Sequence, residues 1–214
     1  MLDQIAAGAA GHALAVLGAC PVTAEDGLPE GTRTLVLLGP REPGFWPRFV
    51  ESPEWQDRAP DPMDRWSRRV IESLARQFEA EPVFPFGGPP YWPFYGWALR
   101  TGRSFASPVR LLVHDEAGLY FSCRGALALR EVLPVQASRS PCEGCEAQPC
   151  LTACPPRALT ANGYDVPACH AFLDTAAGAD CLSRGCAVRR ACPRSQGHAR
   201  MEAQSAYHMR QFHR

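Results

Sequence analysis

The 214-residue chain contains no lysine; all 22 of its basic residues are arginine, a usage that reads as coding bias and carries no functional meaning. Against 22 acidic residues they leave a formal net charge of zero. A chain without a net field has little to draw it onto nucleic acid or an anionic membrane, so neither is an expected partner. No apolar run approaches the roughly 20 residues a membrane span needs. Gly-x-Ser-x-Gly and His-Glu-x-x-His are absent, and Gly87-Gly88 and Gly125 sit in no strand–glycine loop–helix context. Hydrolytic and nucleoside-triphosphate chemistry are therefore set aside. The apolar stretch from Ile5 to Ala19, with Leu17-Gly18-Ala19-Cys20 as a conceivable lipoprotein cleavage site, lacks the basic flank of a secretory leader and is interrupted by His12. It is read instead as an amphipathic first helix over residues 4–19 of a cytoplasmic protein.

Hydrophobic residues make up 46% of the chain, enough for a real core, while 21 prolines and 18 glycines predict short elements and much loop. The apolar run Thr34–Leu38, closed by Gly39-Pro40, predicts a strand covered on both faces. Residues 45–51 suit one or two helical turns. Asp61 as N-cap, Pro62 at the first helical position and Asp64 at the third predict a helix to about Ala80, with Trp66, Val70, Leu74 and Phe78 on its inner face. Asp64, Arg68 and Arg69 read as surface charges of that helix. Residues 109–114 and 119–123 are expected to form a hairpin about Asp115-Glu116-Ala117-Gly118. Residues 133–141 form a polar linker, and a last amphipathic helix spans about residues 197–212.

Cysteine is what the chain has in excess. Eight of its ten fall between Cys142 and Cys192, while Cys20 and Cys123 stand alone and read as small core residues. Such crowding at one end of a chain that already has a core points to metal ligation rather than a disulfide scaffold. The first group, Cys142, Cys145, Cys150, Cys154 and Pro155, has the spacing C-x2-C-x4-C-x3-C-P. It lies two residues in one gap from the bacterial ferredoxin run, whose fourth cysteine serves the other cluster. The second group, Cys169, Cys181, Cys186 and Cys192-Pro193, also ends in Cys-Pro; a strict repeat would place a cysteine at Arg189, and Cys181 supplies the missing thiolate. By that crossover rule a first [4Fe-4S] cluster takes Cys142, Cys145, Cys150 and Cys192. A second takes Cys154, Cys169, Cys181 and Cys186. A structural zinc site is the competing reading of the same thiolates.

Three further features admit two readings each. The segment Phe84–Trp97 holds seven aromatics, four prolines and three glycines. It is either a proline-pinned loop that packs its rings on the core, or the wall of a wide, flat pocket for a large ring system. His114 either faces a cofactor or is a hydrogen-bonded turn residue, and His170, beside Cys169, either tunes a cluster or lies on the surface. The tail from Arg184 carries seven arginines against Glu202 alone. It either offsets the negative charge of the clusters or docks an acidic redox partner such as a ferredoxin, flavodoxin or reductase.

The cysteine pattern resembles the carboxy-terminal module of epoxyqueuosine reductase and the reductive dehalogenases. There a C-x2-C…C-x3-C-P run precedes a lone cysteine and a Gly-Cys group ending in Cys-Pro. Here these are Cys142 to Pro155, Cys169, Gly185-Cys186 and Cys192-Pro193; the long second gap and Arg189 are departures. The region before it resembles the cobalamin-processing (CblC) proteins, relatives of flavin-dependent nitroreductases, through Thr34–Leu38, Asp61-Pro62-Met63-Asp64 and its helix, and LLVHDEAGLYFSCRGALAL at 111–129. Together the resemblances imply an α+β chain. Residues 1–136 would form a nitroreductase-like domain with a small mixed sheet and flanking helices, and 137–214 a helical, loop-rich ferredoxin-like module. The clusters would pass electrons to a corrinoid or flavin held near Trp92, Tyr95 and His114, as in an oxidoreductase. The alternative is an electron carrier whose first domain docks a partner and holds no second cofactor. No catalytic residue is implied.

Overall fold

The computed structural model describes residues 1–213. In chain order the first elements are α1 (Leu2–Ala10), β1 (Leu14–Pro21), β2 (Thr34–Pro40), α2 (Phe45–Val50), α3 (Pro53–Gln56), α4 (Pro62–Gln77), β3 (Glu81–Val83), α5 (Phe94–Arg100), β4 (Ser104–Ala106), β5 (Leu112–His114) and β6 (Gly125–Leu129). They are followed by β7 (Leu159–Thr160), β8 (Gly163–Tyr164), α6 (Val166–Leu173), α7 (Ala179–Arg184), α8 (Ala187–Ala191), α9 (Pro193–Gln196) and α10 (Glu202–Phe212). The fold is α+β. No helix among the described residues is long and apolar enough to cross a membrane. The chain divides into two compact units: Met1–Ser104 with Ser122–Ser138, and Phe105–Phe121 with Arg139 onward. The segment 105–121 thus belongs with the cysteine-bearing half.

The first unit is built on an antiparallel sheet in the order β1-β2-β6-β3. All seven residues of β2 are buried, as a continuous apolar run flanked by strands on both sides requires. The expected helix over residues 4–19 is corrected. It stops at Ala10, where His12 N–H and Ala13 N–H close tight turns on Ala9 and Ala10 and Ala13 takes φ 55°. Residues 14–21 then become β1, pairing with β2 from Leu14↔Pro40 to Pro21↔Thr34. An Ala/Leu-rich stretch suits helix locally; the unpaired edge of β2 decides for strand.

Helix α4 turns Met63, Trp66, Val70, Ile71 and Leu74 inward, as its periodicity predicts. Asp61 caps it by position alone, with φ 51° and no side-chain bond to the helix end. The helix ends at Gln77, short of Ala80, because Glu79 adopts φ 51° and Ala80 N–H bonds back to Ala75 O, a left-handed stop normally built on glycine.

A buried carboxylate pins α5 to the loop after β1. Asp26, 6% exposed, accepts from Arg100 at 2.6 Å, Trp97 Nε1 at 2.7 Å and Thr23 N at 2.8 Å. Burial alone would raise its pKa, but these donors outweigh it and hold the pKa at about 2. Its contribution is therefore present above about pH 4 and is lost as the pH falls toward 2. Asp26→Asn is expected to cost about 2 kcal/mol at pH 7 and to flatten the acid limb of a stability–pH curve measured by urea unfolding.

The second unit opposes the expected hairpin. β5 pairs with β4, not with residues 119–123, and only an isolated bridge joins His114 to Gly118. Leu119 N–H instead donates to Ser195 Oγ at 2.8 Å, and Leu119 O accepts from the Arg189 guanidinium. With both backbone groups taken by the helical part of the unit, 119–121 has no ladder to offer a strand. The chain continues into β6, the strand that lies between β2 and β3.

Candidate iron–sulfur site

The second unit is small, and its core is built largely round its cysteines. Val109, Val113, Leu119, Cys150, Leu159 and Val188 form the buried cluster, with Cys142, Cys154, Cys186 and Cys192 packed against it. Cys142 and Cys145 stand in a turn closed by Cys145 N–H on Cys142 O, and Cys150 is buried in the short 3-10 turn Pro149–Leu151. Cys169 lies on α6, whose first turn is capped by Asp165 accepting from Ala168 N at 2.9 Å. Cys181 is buried on α7. Gly185 then turns the chain sharply at φ 93°, where a Cβ would stand 2.6 Å from Ser205 Cβ, and delivers Cys186 to the start of α8. Cys192 joins α8 to α9 in the extended conformation that the following Pro193 requires.

These elements gather the thiols into two sets. Cys142, Cys145, Cys150 and Cys192 line one cavity of about 370 Å³, with Val113, Leu119 and Pro149 among its apolar walls. Burial pushes the Cys150 thiol up, and the nearby Cys142, Cys192 and Cys145 push it further. Cys142 is likewise raised by burial, then by Cys192 and Cys145. In the other set burial raises Cys169, followed by Cys186, Cys154 and Cys181; burial also raises Cys181, with Cys186 adding to it. The thiols that act most on each of these cysteines come from its own set. All ten cysteines are free, and none is in a disulfide.

No protein family, curated protein or solved structure matches the chain. Among the described residues, no three His, Cys, Asp or Glu side chains converge so as to hold a single metal ion. Four thiolates round a cubane bind four separate irons, and stand further apart than four on one zinc at about 2.3 Å each. The first set fits such a group: four sulfurs, apolar walls, and the buried Ser107 hydroxyl, which lines the cavity without a hydrogen-bond partner among the described residues.

The second set is bonded more densely. Leu159 N–H donates to Cys154 Sγ at 3.4 Å and Tyr164 Oη–H to Cys169 Sγ at 3.4 Å, while the backbone of Ala187 offsets part of the effect of burial on Cys181. Tyr164 carried no signal in the sequence; it stands just before the Asp165 cap of α6, the helix that carries Cys169, and the return of α10 stacks Phe212 on its ring. His170 does not bond a sulfur here: its Nδ1 lies 2.6 Å from Nδ1 of His213, whose Nε2 is 2.9 Å from Asp174 Oδ1. Arg189, standing where a cysteine would complete the repeat, anchors the segment 115–121.

The arginine-rich tail is mostly engaged within its unit. Arg184 pairs with Glu202 and Asp180, Arg190 pairs with Asp180, and Arg200 sits over the Tyr120 ring at 5.1 Å. Arg194 is exposed and lines the first cavity.

The candidate cofactor residues fall in different units. Trp92 and Tyr95 belong to the first, 40% and 49% exposed, with Trp92 stacked on Trp97 at 5.8 Å. The aromatic stretch thus divides: Phe84, Phe94 and Trp97 pack inward while Tyr91, Trp92 and Tyr95 face out. A cavity of about 250 Å³ in this unit is lined by residues such as His12, Arg48, Trp66 and Arg69, none from 84–97. His114 belongs to the second unit. It is buried, accepts at Nδ1 from Glu116 N and Ala117 N, and stacks on Phe121 at 5.9 Å, the geometry of a turn residue. Cys20 and Cys123 are buried thiols of the first unit, and burial pushes Cys123 up to about 12.

Proposed function

We propose that the chain is an iron–sulfur redox protein that holds two [4Fe-4S] clusters in its second unit. One would be held by Cys142, Cys145, Cys150 and Cys192, the other by Cys154, Cys169, Cys181 and Cys186. The observation that carries the reading is the division of eight thiols into two sets of four, each drawn from both halves of the cysteine-bearing segment. Groups bound there supply one-electron chemistry at potentials set by their surroundings. The eight side chains bind as thiolates, so loading releases protons, including those of Cys142, Cys150, Cys169 and Cys181, whose thiols burial pushes up. Val113, Leu119, Leu159 and Val188 keep water from the sulfurs and lower the local dielectric. Arg194, exposed beside the first set, suits contact with an acidic partner such as a ferredoxin, flavodoxin or reductase.

For the first unit the nitroreductase-like reading is retained as part of the proposal. Tyr91, Trp92 and Tyr95 would then offer flat rings to a corrinoid or flavin, the terminal electron acceptor. Anaerobically purified protein should hold about eight irons and eight acid-labile sulfides per chain, and its charge-transfer absorption should bleach with dithionite. Zinc without labile sulfide would overturn the cluster reading. Titration with cobalamin or flavin mononucleotide should give saturable spectral change; no change at high concentration leaves an electron carrier alone.

A further inference from the structure

The two sets of thiols face different surroundings. The second receives two hydrogen bonds, from Leu159 N and Tyr164 Oη, and the backbone of Ala187 acts on Cys181. Arg190 acts on Cys181, and Arg189 acts on Tyr164 beside Cys169. In the first set Ser140 acts on Cys142 and the backbone of Cys150 on its own thiol, and the arginine that lines the cavity, Arg194, is exposed, so solvent screens its charge. A thiolate-ligated cluster gains one negative charge on reduction. Donors and cations aimed at its sulfurs stabilise that reduced form more than the oxidised one, and so raise the potential.

Of these donors Tyr164 is the one supplied by a side chain, and it is held in place. Its ring stacks on Phe212 at 6.1 Å with the planes 16° apart, and Phe212 stacks on His170 at 4.5 Å. His170 in turn meets His213, which reaches Asp174. The end of α10 thereby fixes the phenol against the α6 cysteine, so that the donor geometry does not depend on a free rotor.

We propose that Tyr164 is a positioning residue that sets redox potential. Its hydroxyl, donated to Cys169, makes the cluster held by Cys154, Cys169, Cys181 and Cys186 the higher-potential one of the two. The first electron supplied by a one-electron reductant then comes to rest on that side of the unit. The inference rests on the two-cluster reading above, and its test separates the two.

Full-length protein is loaded anaerobically, its iron and sulfide are counted, and it is titrated with dithionite under potentiometric control while electron paramagnetic resonance follows each signal. Two one-electron steps are expected. Tyr164→Phe should lower the upper step by about 59 mV, a tenfold change in its reduction equilibrium, and leave the lower step in place. Site-specific 3-fluorotyrosine at position 164, a stronger donor of nearly the same shape, should raise the same step, and serves if the phenylalanine variant loses iron. Movement of the lower step instead, or an upper step unmoved in the loaded variants, overturns the inference while the iron count leaves the two-cluster reading standing. Wild-type protein without iron and labile sulfide overturns that reading itself, and this inference with it.

Discussion

Replacing Cys192 with alanine is expected to lower bound iron from about eight to about four per chain, on four cysteines per cluster. The iron lost should be that held by Cys142, Cys145 and Cys150, although Cys186 is the nearer cysteine in sequence. Cys192 lines the same cavity as those three. The thiols acting most on Cys169 are Cys186, Cys154 and Cys181, and the one acting most on Cys181 is Cys186. The arrangement makes a sharp prediction for pairs. Cys142→Ala with Cys192→Ala should cost no more iron than either alone, because both serve one group. Cys154→Ala with Cys192→Ala should lose nearly all of it. A serial arrangement, in which each run of four cysteines serves its own cluster, predicts a different outcome: both pairs would lose all the iron, since each takes one cysteine from either run. Iron and labile sulfide measured on the single variants and the two pairs decide between them.

Gly118→Ala should destabilise the second unit by about 3 kcal/mol, lowering its unfolding midpoint by on the order of 10 °C. At φ 58° a side chain is already strained, and a Cβ there would overlap Ser195 N and come within 2.9 Å of the Arg194 carbonyl carbon. These are backbone atoms of α9 and cannot swing aside. The same contact carries the bond from Leu119 N to Ser195 Oγ. Displacing α9 moves Cys192 at its start, so the variant should also lose the iron of the first set in preference to that of the second. Gly144 provides the control. It lies between Cys142 and Cys145, and a Cβ added there would meet nothing within 4 Å. Its φ is not positive. Gly144→Ala should change stability by no more than about 0.5 kcal/mol. Calorimetry of both variants, with iron counted on each, checks the pair.

Much of what the chain encodes locally was legible. The run Thr34–Leu38 could be read as a doubly covered strand because its apolar residues are contiguous. The helix from Pro62 could be read because Trp66, Val70 and Leu74 repeat at its period. The stop of that helix was less legible, since Glu79 takes a left-handed conformation that usually announces itself with glycine. Residues 14–19 and 119–123 depart from the helix and strand their sequence suggests for a shared reason. Neither stretch has a decisive local preference, and each takes its form from a partner elsewhere in the chain: β2 for the first, Ser195 and Arg189 for the second.

The sequence by itself determined the eight-cysteine inventory, its close spacings and its two Cys-Pro endings, because loops this short dictate which thiols can share a turn. Only the tertiary structure decided that Arg189 and Ser195 hold Leu119 and that Phe212 of α10 stacks on Tyr164 beside Cys169. Each of those contacts joins residues far apart in the chain, whose approach depends on how helices and strands pack, and spacing along the chain carries no record of it.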